Sequence, residues 1–127
     1  MTIDRYSSGG PYEDVVGYSR VVRAGELVVT AGCTSVVDGV VQCEGDPYGQ
    51  ALTALRTAVA ALERAGSARE ACVQSRLYIT DRSYADAVGR AHHEMLGDVR
   101  PAATMLVVAG LLDERMLVEI ELVGVAS

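Results

Sequence analysis

The sequence predicts an α+β fold in which a mixed sheet of five or six strands carries two helices on one face. Alternating or β-branched apolar runs predict the strands, and two stretches with apolar residues at three- and four-residue spacing predict the helices. In chain order these segments read β-β-(β)-α-β-α-β-β. Half of the 127 residues are hydrophobic. A chain of this length and composition can bury a hydrophobic core, and we expect a single domain over residues 1–127.

The first forty residues predict hairpins. Residues 1–17 are rich in glycine and tyrosine without a clear period, so we interpret them as an irregular arm with room for one short strand. Gly25 lies between two β-branched runs and marks a hairpin turn, and Asp38-Gly39 marks a second turn. The predicted strands of this part are 19–23, 27–31 and 40–42.

Two helices are predicted from their start signals and glycine stops. Asp46-Pro47 supplies a capping carboxylate and then a proline at the first helical position, and Gly66 ends this helix. Ser83 is expected to open the second helix, with Asp86 completing a capping box, and Gly97 ends it. The remaining predicted strands are 72–79, 103–109 and 117–125.

The last predicted strand carries two carboxylates on one face. Because side chains alternate in a strand, Glu119 and Glu121 point to the same side, about 7 Å apart. Leu117 and Val123 lie on that face too. A carboxylate in half-apolar surroundings has an acidity that a protein can adjust, which favours acid–base chemistry here.

Arg76 lies in the predicted strand 72–79. Alternation assigns Val73, Leu77 and Ile79 to one face of this strand and Arg76 to the other. The simpler interpretation of Arg76 is an ion pair with Glu121, and the alternative is a contact with a substrate.

Composition and charge disfavour several classes of function. The formal net charge is −6, and all eleven basic residues are arginine, so we expect no nucleic-acid partner and no lysine Schiff base. Three cysteines without a close pair fit neither a disulfide framework nor a zinc site, and His92 and His93 are adjacent rather than four apart; we expect no metal. No run approaches the roughly 18 apolar residues of a membrane span, and no signal segment opens the chain. We therefore expect a cytoplasmic protein without a membrane partner.

Several short segments, in this order and spacing, resemble one known family over nearly the whole chain. The segments are Gly17-Tyr18-Ser19, Val29-Thr30-Ala31-Gly32, Gln50 to Gly66, Leu77-Tyr78-Ile79-Thr80-Asp81, Arg100-Pro101-Ala102 and Val118-Glu119-Ile120-Glu121. Together they are similar to the RidA family, also called YjgF or endoribonuclease L-PSP.

The resemblance implies a chorismate-mutase-like fold and a homotrimer with a small-molecule cleft at each subunit interface. A trimer also fits the predicted architecture, because two helices on one face leave the other face of the sheet bare. Family members with deaminase activity hydrolyse reactive imines and enamines, such as 2-aminoacrylate, to a keto acid and ammonia. They use no metal or organic cofactor. An arginine holds the substrate carboxylate, and a glutamate handles the attacking water.

Carried over by position, the resemblance assigns the glutamate to Glu119, the cleft tyrosine to Tyr18 and the substrate-facing backbone to Ala31-Gly32. The arginine is absent. The family pattern Pro-Ala-Arg-Ser reads Pro101-Ala102-Ala103-Thr104 here, which indicates a subgroup lacking this arginine. The family's glutamine after Gly32 is replaced by Cys33.

Without that arginine, acids of the 2-aminoacrylate type are expected to lose their main anchor. Ala103 then leaves volume for a bulkier or less polar substrate. Thr104 points to the opposite face of its strand and cannot replace the arginine. Arg76, interpreted as lying on the same face as Ala103, is the candidate substitute.

Two functions remain open from the sequence. In the first, Glu119 positions water or moves a proton on a small imine, enamine or related unsaturated intermediate, while Tyr18 and the Gly32 backbone orient the substrate. The reaction is hydrolytic deamination or, as a close variant, tautomerisation or cyclisation. In the second, the cleft binds a metabolite without catalysis and the trimer has a regulatory role. Cys33 is either a nucleophile or, more commonly for a free cysteine, a small buried apolar residue.

Overall fold

The computed structural model describes residues 1–127, which form eight strands and two α-helices. The strands are β1 (Ile3–Tyr6), β2 (Val21–Ala24), β3 (Leu27–Thr30), β4 (Val36–Val37), β5 (Val40–Val41), β6 (Cys72–Ile79), β7 (Ala102–Val107) and β8 (Val118–Val125). The helices are α1 (Pro47–Arg64) and α2 (Ala85–Leu96). Neither helix is long and apolar enough to cross a membrane.

Six of the strands form one mixed sheet, which confirms the predicted α+β class. Their order across the sheet is β1-β2-β3-β8-β6-β7. The pair β6–β7 is parallel because α2 connects these strands, and every other neighbouring pair is antiparallel. The strand predicted at 40–42 corresponds to β5, which pairs only with β4 in a separate hairpin. The turn residues of this hairpin, Asp38 and Gly39, both have positive φ.

α1 begins and ends where its sequence signals place it. The Asp46 carboxylate accepts a hydrogen bond from the Gly49 N–H at 3.0 Å, and Pro47 is the first helical residue. The buried side of α1 is rich in alanine, with Leu55 and Leu62 fully buried between the alanines. Small side chains let the helix lie close on β8 and β3. The buried apolar residues of both helices and the sheet form one cluster of 21 side chains.

The predicted start of α2 was wrong. The capping carboxylate is Asp81, not the Ser83–Asp86 pair: its Oδ1 accepts from the Ser83 N–H at 2.8 Å and from the Ser83 hydroxyl at 2.7 Å. A single 3₁₀ turn, Arg82–Tyr84, follows before α2 itself begins. The Ser83 hydroxyl therefore donates to the capping carboxylate of Asp81 instead of capping the helix itself.

The start of β6 also differs from the strict alternation of the sequence. The pairing of β6 with β8 shifts between Cys72 and Gln74, which marks a β-bulge. As a result Cys72 is buried and Val73 is 48% exposed. Val73 was thus wrongly assigned to the face of Leu77 and Ile79, which are both buried. Beyond the bulge, Ser75, Leu77 and Ile79 keep the regular inward alternation.

Both helices lie on one face of the sheet, and we call the other the open face. In β8 every second residue is buried toward α1: Val118, Ile120, Leu122 and Gly124. The residues between them point to the open face and are only partly buried, among them Glu119 and Glu121. The two carboxylates therefore share a face, as alternation predicts.

Candidate functional site

A cavity of about 550 Å³ lies at the edge of the open face, between the N-terminal arm and the segment that follows β3. Among its lining residues are Tyr18, Arg20, Gly32, Cys33 and Glu119. Four of these five were candidates from the sequence, and Arg20 was not. The fold therefore brings Glu119, Tyr18, Gly32 and Cys33 to one site.

A short bridge between Cys33 and β8 sets the position of Glu119 relative to Gly32. The Cys33 N–H donates to the Ile120 carbonyl at 2.8 Å, and the Ile120 N–H donates to the Cys33 carbonyl at 2.9 Å. This pairing holds the backbone of Gly32 directly beside the Glu119 side chain. A Cβ atom at position 32 would overlap the Glu119 carboxylate. Glycine therefore leaves the space that the Glu119 carboxylate occupies, and its own φ, outside the left-handed region, does not call for glycine.

Glu119 is a half-buried carboxylate that makes no hydrogen bond or ion pair within the chain. Burial raises the pKa of Glu119 above its ordinary value of 4.5, and the nearby charge of Glu121 raises it further. The positive charge of Arg20 partly offsets both effects. A carboxylate with a raised pKa and free oxygens can accept a proton from water or deliver one to a bound molecule.

Glu121, two residues along the same strand, has a different environment. Its Oε1 accepts a hydrogen bond from the Tyr78 hydroxyl at 2.7 Å and forms an ion pair with Arg76 at 3.4 Å. The simpler interpretation of Arg76 therefore agrees with the structure. Because its Oε1 is engaged by two neighbours on β6, Glu121 has a structural role on the open face, whereas Glu119 is available to a ligand.

Arg20 is the residue that sequence reasoning missed. Its Nη1 donates to the Gly32 carbonyl at 2.6 Å and lies 3.5 Å from the Cys33 sulfur, and its Nη2 lies 3.4 Å from the Tyr18 hydroxyl. One cation thus contacts three of the predicted site residues. The available signal was the two-residue spacing from Tyr18, which is weak because Tyr18 lies outside the predicted strand 19–23 that contains Arg20.

The N-terminal arm forms one wall of this site, and it contains a helical turn that the sequence did not predict. Glu13, in one turn of helix at Glu13–Gly17, is 3% exposed and accepts hydrogen bonds from Ser7, Ser8 and the Gly10 N–H. Burial alone would raise the pKa of Glu13, but these hydrogen bonds, first those of Ser8 and Ser7, lower it to about 2. Glu13 is therefore ionised at neutral pH and holds the arm in place. Its Oε2 is 3.8 Å from Arg20.

Cys33 lines the cavity but is 2% exposed. Burial raises the pKa of its thiol, and although the Arg20 guanidinium lowers it in part, the net shift is upward. The neutral thiol is therefore the dominant form at neutral pH, which favours a wall-forming role for Cys33 over a nucleophilic one.

The other four predicted binding residues do not line the cavity. Ala31 is next to it and donates its N–H to the Arg20 carbonyl at 2.8 Å. Ala103 and Thr104 are exposed on β7, at the far edge of the sheet, and Arg76 lies on the open face. The register pairs Arg76 with Thr104 and Ser75 with Ala103. The interpretation that Arg76 shares a face with Ala103 was therefore wrong, since residues paired in parallel strands point to the same side.

Comparison with known proteins gives consistent results. The model of the family described as endoribonuclease L-PSP matches residues 12–126. An uncharacterised protein of Streptomyces coelicolor is 41% identical over 119 residues, covering 94% of this chain and 89% of that protein. The crystal structure of a member of the YjgF/YER057c/UK114 family from Mycobacterium tuberculosis is 38% identical with a TM-score of 0.89, and covers 98% of this chain and 100% of its own. A protein of unknown function from Pseudomonas aeruginosa is 27% identical with a TM-score of 0.84, covering 99% and 94%.

Proposed function

Because the chain belongs to the endoribonuclease L-PSP family, also called YjgF or RidA, we propose that it hydrolyses a small reactive imine or enamine in the cavity at Glu119. The observation that carries the proposal is the state of this carboxylate. Glu119 is half-buried, has a raised pKa, is free of partners within the chain and faces the cavity beside Gly32. This combination suits a group that exchanges protons with a bound molecule.

In the proposed reaction Glu119 removes a proton from water as the water oxygen attacks the imine carbon. The same carboxyl returns that proton to the nitrogen, which gives a neutral carbinolamine. Glu119 then passes the hydroxyl proton to the nitrogen as the C–N bond breaks, so that ammonia leaves and the hydroxyl oxygen becomes the carbonyl oxygen of the product. An enamine first gains a proton at carbon and loses one from nitrogen, which converts it to the imine. Tyr18 and the backbone at Gly32 orient the substrate. Tautomerisation or cyclisation by the same acid–base group is the close variant.

RNA cleavage, which the older family name suggests, is not the proposed activity. Binding of a phosphate backbone depends largely on several basic side chains. Arg20 is the one basic residue among the cavity-lining side chains, where it is accompanied by the acids Asp38 and Glu119. The whole chain has a formal net charge of −6 and no lysine.

Glu119→Gln is expected to lower the rate of imine hydrolysis by roughly 10²-fold or more, the usual contribution of a general acid–base group. Imines are generated in situ by an amino-acid oxidase, and their decay is followed by competition with a trapping amine. Glu121→Gln is the matched control on the same strand and should retain turnover. Full activity of Glu119→Gln would refute the proposal. If wild-type protein binds stable metabolites in a thermal-shift screen but turns over no imine, the non-catalytic alternative replaces it.

We also propose that the chain assembles as a homotrimer through the open face. Neither helix covers this face, and Leu27 and Val125, paired across β3 and β8, remain 49% and 40% exposed. Apolar residues left uncovered by a chain's own elements are commonly buried by further copies of it. Sedimentation equilibrium should give the mass of three 13.4 kDa chains, and a stable monomer at micromolar concentration would contradict the assembly.

A further inference from the structure

The guanidinium of Arg20 is held firmly at one atom and loosely at the others. Its Nη1 makes a short hydrogen bond of 2.6 Å to the Gly32 carbonyl. Its Nε and Nη2, which form the side-on edge of the guanidinium, have longer contacts: 3.4 Å to the Ser8 hydroxyl and 3.4 Å to the Tyr18 hydroxyl. Charge-assisted hydrogen bonds are usually about 2.7–2.9 Å. The side-on edge therefore keeps much of its donor capacity.

Glu13 does not use that capacity. Its nearest oxygen is 3.8 Å from Nη2, beyond hydrogen-bond distance. Both of its carboxylate oxygens already accept hydrogen bonds, Oε1 from Ser7 and the Ser8 N–H, and Oε2 from the Ser8 hydroxyl and the Gly10 N–H. Glu13 thus supports the arm around Arg20, and the guanidinium edge, with its two long contacts to hydroxyls, can take up a stronger acceptor.

We infer that Arg20 binds a carboxylate of the substrate through this side-on edge, while Glu119 acts on the neighbouring carbon. Both side chains contact the same residue, Arg20 through the Gly32 carbonyl and Glu119 across its Cα. A cation and a base that flank one glycine match the compact spacing of a 2-imino acid, in which the carboxylate is bonded to the imine carbon. The hydroxyl of Tyr18, beside the same edge, can donate to the bound carboxylate as well. This inference rests on the proposed function for its assignment of the reacting group.

The inference changes the substrate expected from the sequence. The absence of arginine at Ala103 predicted a poor fit for acids, with Arg76 as the candidate substitute. Arg20 lies on the chain just before β2, and β7, which carries Ala103, is four strands away across the sheet. In this arrangement the substrate carboxylate is held near β2, at the other end of the sheet from Ala103. A 2-imino acid is therefore expected to remain a good substrate.

Binding of a stable 2-oxo acid tests Arg20 without any turnover. The probes are 2-oxobutanoate and its neutral counterpart 2-butanone, each titrated into the protein and followed by NMR chemical shifts. Arg20→Gln is expected to weaken 2-oxobutanoate by roughly 30-fold or more, as for loss of one partner of a buried charged pair, and to leave 2-butanone unchanged. Arg23→Gln, which makes the same charge change on β2 outside the cavity, should bind both probes like wild type.

Three further variants make the result unambiguous. Arg20→Lys keeps the charge with a single donor group, so we expect it to fold and to bind 2-oxobutanoate at an affinity between those of wild type and Arg20→Gln. Glu119→Gln should lose turnover but keep Arg20-dependent binding, which separates failure of the proposed function from failure of this inference. Equal binding of 2-oxobutanoate by wild type and Arg20→Gln, or a loss caused by Arg76→Gln instead, would overturn the assignment. If Arg20→Gln does not fold, an Arg20→Lys protein with wild-type affinity would overturn it equally.

Discussion

Gly32→Ala is expected to lower kcat/KM for imine hydrolysis by roughly 100-fold, the scale associated with a displacement of about 1 Å in a catalytic group. The added Cβ would occupy the space of the Glu119 carboxylate, which must then move away from the cavity position it shares with Gly32. The backbone itself tolerates alanine, because φ at position 32 is not in the left-handed region. Activity should therefore fall far more than stability.

Gly89→Ala is the control for this prediction. Gly89 lies within α2, where an added Cβ meets nothing within 4 Å, so the change should leave kcat/KM intact and raise stability by up to about 1 kcal/mol. Thermal unfolding followed by circular dichroism reports the fold of both variants. A Gly32→Ala protein with wild-type kcat/KM would show that the close approach of Glu119 to Gly32 has no role in the reaction.

Gln50→Leu is expected to destabilise the protein by about 3 kcal/mol, since two partly buried backbone groups lose the hydrogen-bond partner that Gln50 provides. Gln50 is fully buried in the first turns of α1. Its Nε2 donates to the Arg115 carbonyl at 2.9 Å, and its Oε1 accepts from the Leu117 N–H at 2.8 Å. A third contact, to the Cys43 carbonyl at 3.2 Å, has a substitute in the Asp46 N–H.

Gln50→Leu should also make the cavity wall at Met116 less rigid. Met116, one of the cavity-lining residues, lies between the two backbone groups that Gln50 holds. Arg56→Leu, an exposed position on the same helix, is the control and should stay within about 0.5 kcal/mol of wild type. Urea unfolding gives both free energies, and a Gln50→Leu variant as stable as Arg56→Leu would show that the buried amide is dispensable.

Much of the fold could be predicted because its signals are local. The α1 helix combines a capping carboxylate, a proline, an apolar stripe and a glycine stop within about twenty residues, and each agrees with the others. The start of α2 was predicted wrongly because the carboxylate that caps this turn belongs to Asp81, two residues before Ser83, and only the three-dimensional turn shows which side chain accepts from the backbone. The bulge after Cys72 depends on the partner strand β8 and leaves no mark in the alternation of β6 itself.

The candidate site was predictable only where a local pattern carried it. Glu119 stands out by strand alternation and by the motif around it. Arg20 contacts Gly32 and Cys33 across the site. Glu13 accepts hydrogen bonds from Ser7 and Ser8 within the arm, whose sequence shows no periodic pattern. Gln50 likewise bonds groups 65 and 67 residues away. Contacts of this kind depend on how the hairpins and the arm fold back, which composition and spacing do not specify.

The acid–base role of Glu119 is tested most directly by titrating its side chain. ¹³C-detected NMR of the carboxyl carbons, with the resonance assigned by its loss in Glu119→Gln, gives the pKa of this group in the folded protein. We expect a midpoint above the ordinary 4.5, because burial and Glu121 both favour the protonated form. The midpoint should fall in Glu121→Gln, where one of these causes is removed, and kcat/KM should decrease as the pH falls through the same midpoint. A midpoint at or below 4.5 with no response to Glu121→Gln would contradict the account.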